Sequence, residues 1–285
     1  MNQVQRLPSF EYPPVIEVVA SVQFDPLPKL GVVHLGLLWQ RFRKVFPKVE
    51  QKPPIAPVVE RLGVRAPLNQ IQFQVTQELG VPRLWFVNEA GDELLQVQQD
   101  RFIRNWRAVP EVGGPYPRYD KYIKPKFLDD YRAFQQFLRE EVEGEIEPNQ
   151  CELTYINHIR PNAHWASHKD IASVFRGWSP AYSELLDNQL EAVNLRVVHV
   201  LNDAAGSFIG RLHVTLQSAF KARPLHAESD EPIFALTITA RGRPTAKGDE
   251  GVSGFMDTAH RAIVTSFEKM TTTDMHTAWG KQHDT

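Results

Sequence analysis

GVSGFMDTAHRAIVTSFEKM, residues 251–270, sets Phe255, Ala259, Ala262, Ile263, Ser266, Phe267 and Met270 at i, i+4, i+7, i+8, i+11, i+12 and i+15. That spacing is one apolar stripe on an α-helix, and such a stripe needs a sheet beneath it. The tail TTTDMHTAW, residues 271–279, reads as a capped final turn around Thr273 and Asp274, with Trp279 folding back onto the body. The closing helix therefore demands strands, and the rest of the chain supplies them.

Upstream, residues 232–241, 207–219 and 190–201 are strand candidates, the last two joined through Asn202-Asp203-Ala204-Ala205-Gly206, a hairpin turn ending in glycine. Before them stand a short helix at 169–178 and a strand at 153–160. The first half has the same order. A strand at 15–24 alternates Ile16, Val18, Ala20, Val22 and Phe24 with a mixed set. A helix at 32–46 carries Leu35, Leu38, Trp39, Phe42 and Phe46 and stops at Pro47. The proline-rich piece 52–67 runs over the surface, and short strands follow at 70–77, 83–88, 93–98 and 101–108. A helix at 125–142, striped by Phe127, Tyr131, Phe134, Leu138 and Val142, closes the half.

The expected fold is thus α+β: two tandem β-α-β(3-4)-α units, similar in element order to TATA-binding-protein-like and helix-grip folds, with antiparallel sheets and long helices packed on them. The units span 1–146 and 150–285, and the boundary falls in the acidic, glycine- and proline-broken linker 143–149. Such units can share one continuous sheet or sit side by side.

Composition narrows the function classes. With 32 basic and 34 acidic residues the net charge of -2 gives no bulk attraction to nucleic acid or anionic membrane. A single cysteine, Cys151, excludes an internal disulfide and a cysteine-rich metal site, and it reads as a small buried residue in a reducing compartment. Without a run of about 18 apolar residues or a signal-like N-terminus, the expectation is a cytoplasmic protein with no membrane partner.

Two segments carry a resemblance. Pro13-Pro14-Val15-Ile16-Glu17-Val18-Val19 leading to Phe24-Asp25-Pro26, and Phe255-Met256-Asp257-Thr258-Ala259-His260 continuing through Phe267, Thr271 and Thr272 to His276 and Trp279, resemble a sporadically distributed family of uncharacterised bacterial proteins of about this length. The resemblance implies no activity, cofactor or catalytic residue. Its patchy distribution implies an accessory role, such as a defence-associated component.

Candidate chemistry is scattered. His158, His164, His168 and Asp170 could bind a metal ion, although no two histidines share a helix face at ligand spacing. His260 stands one residue past the buried stripe position Ala259, where its ring could hydrogen-bond a neighbouring element; His276 lies in the tail. On strand 101–108, Phe102, Arg104 and Trp106 share one face and Ile103, Asn105 and Arg107 the other, an interleaving that could hold single-stranded nucleic acid or simply pack. Arg241, Arg243 and Lys247 reach the start of the closing helix, where backbone N–H groups favour anions. No nucleophile motif, dinucleotide fingerprint or phosphate loop occurs.

The expected function is a non-enzymatic binding or interaction module, without cofactor, that holds a protein partner or small ligand and is free to form a homo-oligomer. The alternative is a nucleic-acid-associated protein, which requires Arg104, Arg107, Arg241 and Arg243 to form one basic face. A metal-dependent hydrolase is third.

Overall fold

Strand β1 (Val15–Phe24) lies at the middle of the sheet, and its alternation explains why. Val18, Ala20, Val22 and Phe24 are buried on one face, while Glu17, Val19, Ser21 and Gln23 point to the other. In the computed structural model the described residues are 7–63, 81–179, 190–203, 205–221 and 230–282. Eight more strands follow: β2 (Lys48–Lys52), β3 (Arg83–Val87), β4 (Glu93–Gln98), β5 (Arg101–Arg107), β6 (Pro148–Ile159), β7 (Asn194–Asn202), β8 (Phe208–Lys221) and β9 (Glu231–Gly242). They form one antiparallel sheet in the order β2-β3-β4-β5-β1-β6-β9-β8-β7. Strands from the first half of the chain lie on one side of the β1–β6 pair and those from the second half on the other. The fold is α+β, and the two halves share a continuous sheet.

Helices cover one face. Helix α1 (Val32–Phe42) buries Leu35, Leu38 and Phe42. It is four residues shorter than the periodicity predicts. Pro47 disfavours helical backbone at Phe46, so Val45 and Phe46 turn back to donate to the Phe42 carbonyl at 2.9 and 2.8 Å, and Phe46 drops into the core. Helix α2 (Lys124–Phe137), with Pro125 in its first turn, is flanked by two wider π-turns, Tyr119–Ile123 and Leu138–Val142. Its Phe127, Tyr131 and Phe134 rings pack on Phe102 of β5, at centroid distances of 6.3, 5.9 and 5.1 Å. A 3-10 turn, His168–Asp170, runs into a single α-helical turn, α3 (Ile171–Val174), so the helix expected at 169–178 ends four residues early.

The closing helix α4 (Gly248–Met270) begins three residues earlier than its stripe requires, because Asp249 and Glu250 sit favourably in its first turn. Val252, Phe255, Met256, Ala259, Ile263 and Phe267 are buried along it. Each fully buried large side chain of this kind contributes about 1.5–3 kcal/mol. The final turn, α5 (Thr273–Ala278), is capped by Thr272, whose hydroxyl accepts from the Met275 N–H at 3.4 Å; the cap lies one residue before the expected one. Trp279 folds back so that its ring stands 5.0 Å from Phe267. The strand expected at 70–77 lies outside the described residues. No helix among the described residues is long and apolar enough to cross a membrane.

Candidate functional site

The face of the sheet away from the buried apolar rows carries a straight line of long polar side chains. Gln98 of β4 is the register partner of Arg101 of β5, Arg101 is the partner of Gln23 of β1, and Gln23 is the partner of Gln150 of β6. All four are almost fully buried. What buries them is the stretch that follows β2, residues 53–61, which crosses the strands along this row.

The crossing segment is held mainly by its own backbone. The Gln98 side-chain amide accepts from the Ile55 N–H and donates to the Ile55 carbonyl, both at 2.9 Å. Arg101 donates to the Ala56 carbonyl at 3.2 Å, while Gln23 accepts from the Val58 N–H and Gln150 from the Glu60 N–H, each at 3.0 Å. Four adjacent strands span about 14 Å at the usual spacing of about 4.8 Å. Residues 55 to 60 cover nearly the same length if extended at about 3.1 Å per residue. Pro53, Pro54 and Pro57 bias the segment toward that extension. Its geometry and the row of glutamines therefore match in pitch.

Beyond the row, one side chain anchors the segment. The Glu60 carboxylate accepts from His213 Nε2 at 2.7 Å and from Arg211, both of β8, and lies 3.5 Å from Arg241 of β9. Burial pushes its pKa up, but hydrogen bonds from His213 and Arg211 and the charges of His213 and Arg241 outweigh that, leaving it at about 2. Arg211 also donates to the Arg61 carbonyl at 2.8 Å. Near the other end, Arg83 Nε, Trp85 Nε1 and Arg101 Nε are buried N–H groups that meet no hydrogen-bond partner among the described residues, and all three side chains belong to this same face.

The candidate residues from sequence are placed differently. Arg104 lies on the helix side, almost fully buried, and its guanidinium is held by Glu93 at 2.9 Å and Asp130 at 2.7 Å. Trp106 is buried against Tyr116 at a centroid distance of 5.6 Å. Arg107 donates to the Gly91 carbonyl at 2.6 Å, and Arg243 to the Phe208 carbonyl at 2.8 Å. Arg241 is on the polar face, paired with Glu152 and Glu60. Arg104, Arg107, Arg241 and Arg243 thus do not form one basic face. Lys247 is the N-cap residue of α4, whose first turn carries Asp249 and Glu250.

The metal candidates are dispersed as well. His168 Nε2 meets the Ile233 carbonyl at 3.0 Å, and Asp170 accepts from the Ala166 and Ser167 N–H groups at 3.0 Å. His164 is exposed, and His158 faces the other way from the helices. Among the described residues no group of three or more His, Cys, Asp or Glu could hold a metal ion. Cys151 is buried, and burial pushes its thiol well above the ordinary range.

His260 makes the expected hydrogen bond. Its Nδ1 lies 3.0 Å from the Tyr155 hydroxyl, which lies 2.8 Å from the Tyr116 hydroxyl, and its ring stacks on Tyr119 at 3.9 Å. Sequence reasoning missed Gln23, Gln98, Gln150 and Glu60, because single glutamines carry no motif until strand register aligns them. The proline-rich composition of 52–67 was the available signal. The chain matches no protein-family model, and no curated protein matches it in sequence.

Proposed function

We propose that this protein is a non-enzymatic binding module whose sheet face grips an extended, proline-containing polypeptide by its main chain, with residues 53–61 occupying that groove in cis. The observation that carries this reading is the two-point contact between the Gln98 amide and the Ile55 backbone, which imitates a rung of a β-ladder and is indifferent to the side chain at that position. Gln23, Gln150 and Arg101 repeat the principle along the row. A partner segment needs only alternating free N–H and C=O groups plus one carboxylate placed for Arg211, His213 and Arg241.

The same reading takes the chain as two tandem β-α-β(3-4)-α units of the TATA-binding-protein-like kind. Strand order supports it: outward from the seam each half runs first strand, last strand, then the preceding two, β1-β5-β4-β3 against β6-β9-β8-β7, with β2 added at one edge. The groove row crosses that seam, so a ligand on it contacts both units.

A chain in which residues 53–61 are replaced by a glycine-serine sequence of equal length vacates the groove. It is expected to bind a labelled peptide KPPIAPVVERL in trans, measured by fluorescence anisotropy, whereas the unaltered protein binds it far more weakly because the tethered copy competes. Adding Gln98→Ala, or N-methylating the peptide at the isoleucine, is expected to weaken binding about tenfold or more. A folded glycine-serine variant that leaves the peptide unbound overturns the proposal.

A further inference from the structure

A separate cavity of about 170 Å³ lies between the N-terminal segment around Phe10, the Tyr116–Asp120 stretch, β6 and α4. Phe10, Val15, Ile263 and Phe267 supply apolar walls, and Tyr116, Tyr155 and His260 line it with polar groups. Its volume slightly exceeds the ~150 Å³ that holds one benzene molecule. A single six-membered ring with one small substituent therefore fits.

The polar side is a chain of hydrogen bonds, Tyr116 to Tyr155 at 2.8 Å and Tyr155 to His260 at 3.0 Å. With the imidazole proton on Nε2, Tyr155 donates to Nδ1 and Tyr116 donates to Tyr155, so the Tyr116 oxygen is left to accept. With the proton on Nδ1 every bond reverses, and the Tyr116 O–H is free to donate. The chain therefore presents a group that can give or take one hydrogen bond without any net charge. Burial keeps His260 neutral, its pKa lowered to about 4. Arg118 also lines the cavity, but its guanidinium donates to the Phe10 carbonyl at 2.7 Å, and Asp120 places a negative charge at the same rim. The charges of Arg118 and Asp120 at this rim act in opposite senses on Tyr116, and the walls behind them are apolar, so burying a carboxylate there costs more than it gains.

We propose that this cavity is a binding site for a small neutral ring compound bearing one hydroxyl group, its ring against Phe10, Ile263 and Phe267 and its hydroxyl on Tyr116. Phenol, benzene and benzoate are the probes, titrated into the full chain and followed by NMR of the Phe10 and Ile263 resonances. Phenol is expected to bind with a dissociation constant of about 1 mM, benzene at least fivefold more weakly and benzoate not at all. Tyr116→Phe is expected to erase the difference between phenol and benzene. Ile263→Trp fills the space and is expected to abolish binding of both while the circular dichroism spectrum is unchanged. Equal binding of phenol and benzene by the unaltered protein, binding of benzoate as tight as phenol, no phenol binding up to about 10 mM, or phenol binding that survives Ile263→Trp would each overturn the assignment.

Discussion

Glu60 is the residue on which the crossing segment turns, since its carboxylate meets three basic side chains on β8 and β9. Glu60→Gln keeps the shape and removes the charge, leaving Arg211 and Arg241 with less compensation. It is expected to cost about 2 kcal/mol at pH 7, read from the denaturant midpoint. The sign of the pH dependence follows from a folded pKa near 2 against an ordinary 4.5. The carboxylate's contribution is complete above about 4.5 and is lost as pH falls toward 2, so the gap between the two proteins should close across that window. A gap that stays constant from pH 7 to pH 2.5 would mean the charge is not what holds the segment. His260 behaves in the opposite chemical sense but with the same direction in pH: its neutral form is the folded form, so protonation below about 6.5 opposes folding progressively down to about 4. His260→Ala loses both the Tyr155 bond and the Tyr119 stack, and is expected to lower stability by about 1–3 kcal/mol. An unchanged melting temperature would refute a structural role for the ring.

Among elements, α4 shows why helices were legible in the sequence and surfaces were not. A seven-residue apolar stripe at helical spacing has one physical reading, and Phe255, Ala259, Ile263 and Phe267 are buried as that reading requires. The strand expected at 101–108 is β5, one residue shorter, yet its Arg104 reads the same whether it faces solvent or a buried carboxylate pair; only Glu93 and Asp130, brought near by register and by α2, decide it. The short α3 was overestimated because helical propensity at 169–178 lost to the bridge that Phe175 makes with Thr271. How α4 seats on the sheet gives a sharper test. A Cβ on Gly242 at the end of β9 would lie 2.2 Å from the Ile209 carbonyl oxygen and 2.8 Å from the Phe255 ring. Gly242→Ala must push either the β8 backbone or the helix away, at a cost of about 2–4 kcal/mol in thermal or denaturant unfolding. A change below about 0.5 kcal/mol would show that Phe255 is not seated on this glycine.

At the scale of the molecule, the seam between β1 and β6 decides whether two units or one body is the useful description. Pairing runs nearly the full length of β1, from Val15 to Phe24, and joins halves whose strands otherwise never mix. Several contacts reinforce the seam: Glu60 reaching across to β8, Tyr119 and Lys124 meeting Asp257 at 3.3 and 2.7 Å, and Arg132 meeting Asp249 at 3.2 Å. Cutting the chain after Ile146 leaves each fragment with a long edge strand, β1 or β6, open along one side, the kind of edge that recruits another chain. Two fragments expressed together should therefore reassemble into a soluble one-to-one complex with a single cooperative unfolding transition, while either expressed alone should aggregate or pair with itself through β1 or β6. Size-exclusion chromatography with light scattering distinguishes the cases. Fragments that are each monomeric and unfold sharply on their own would mean the units are independent domains, and a groove that depends on a row of side chains crossing from β4 to β6 could then not be a property of the joined sheet.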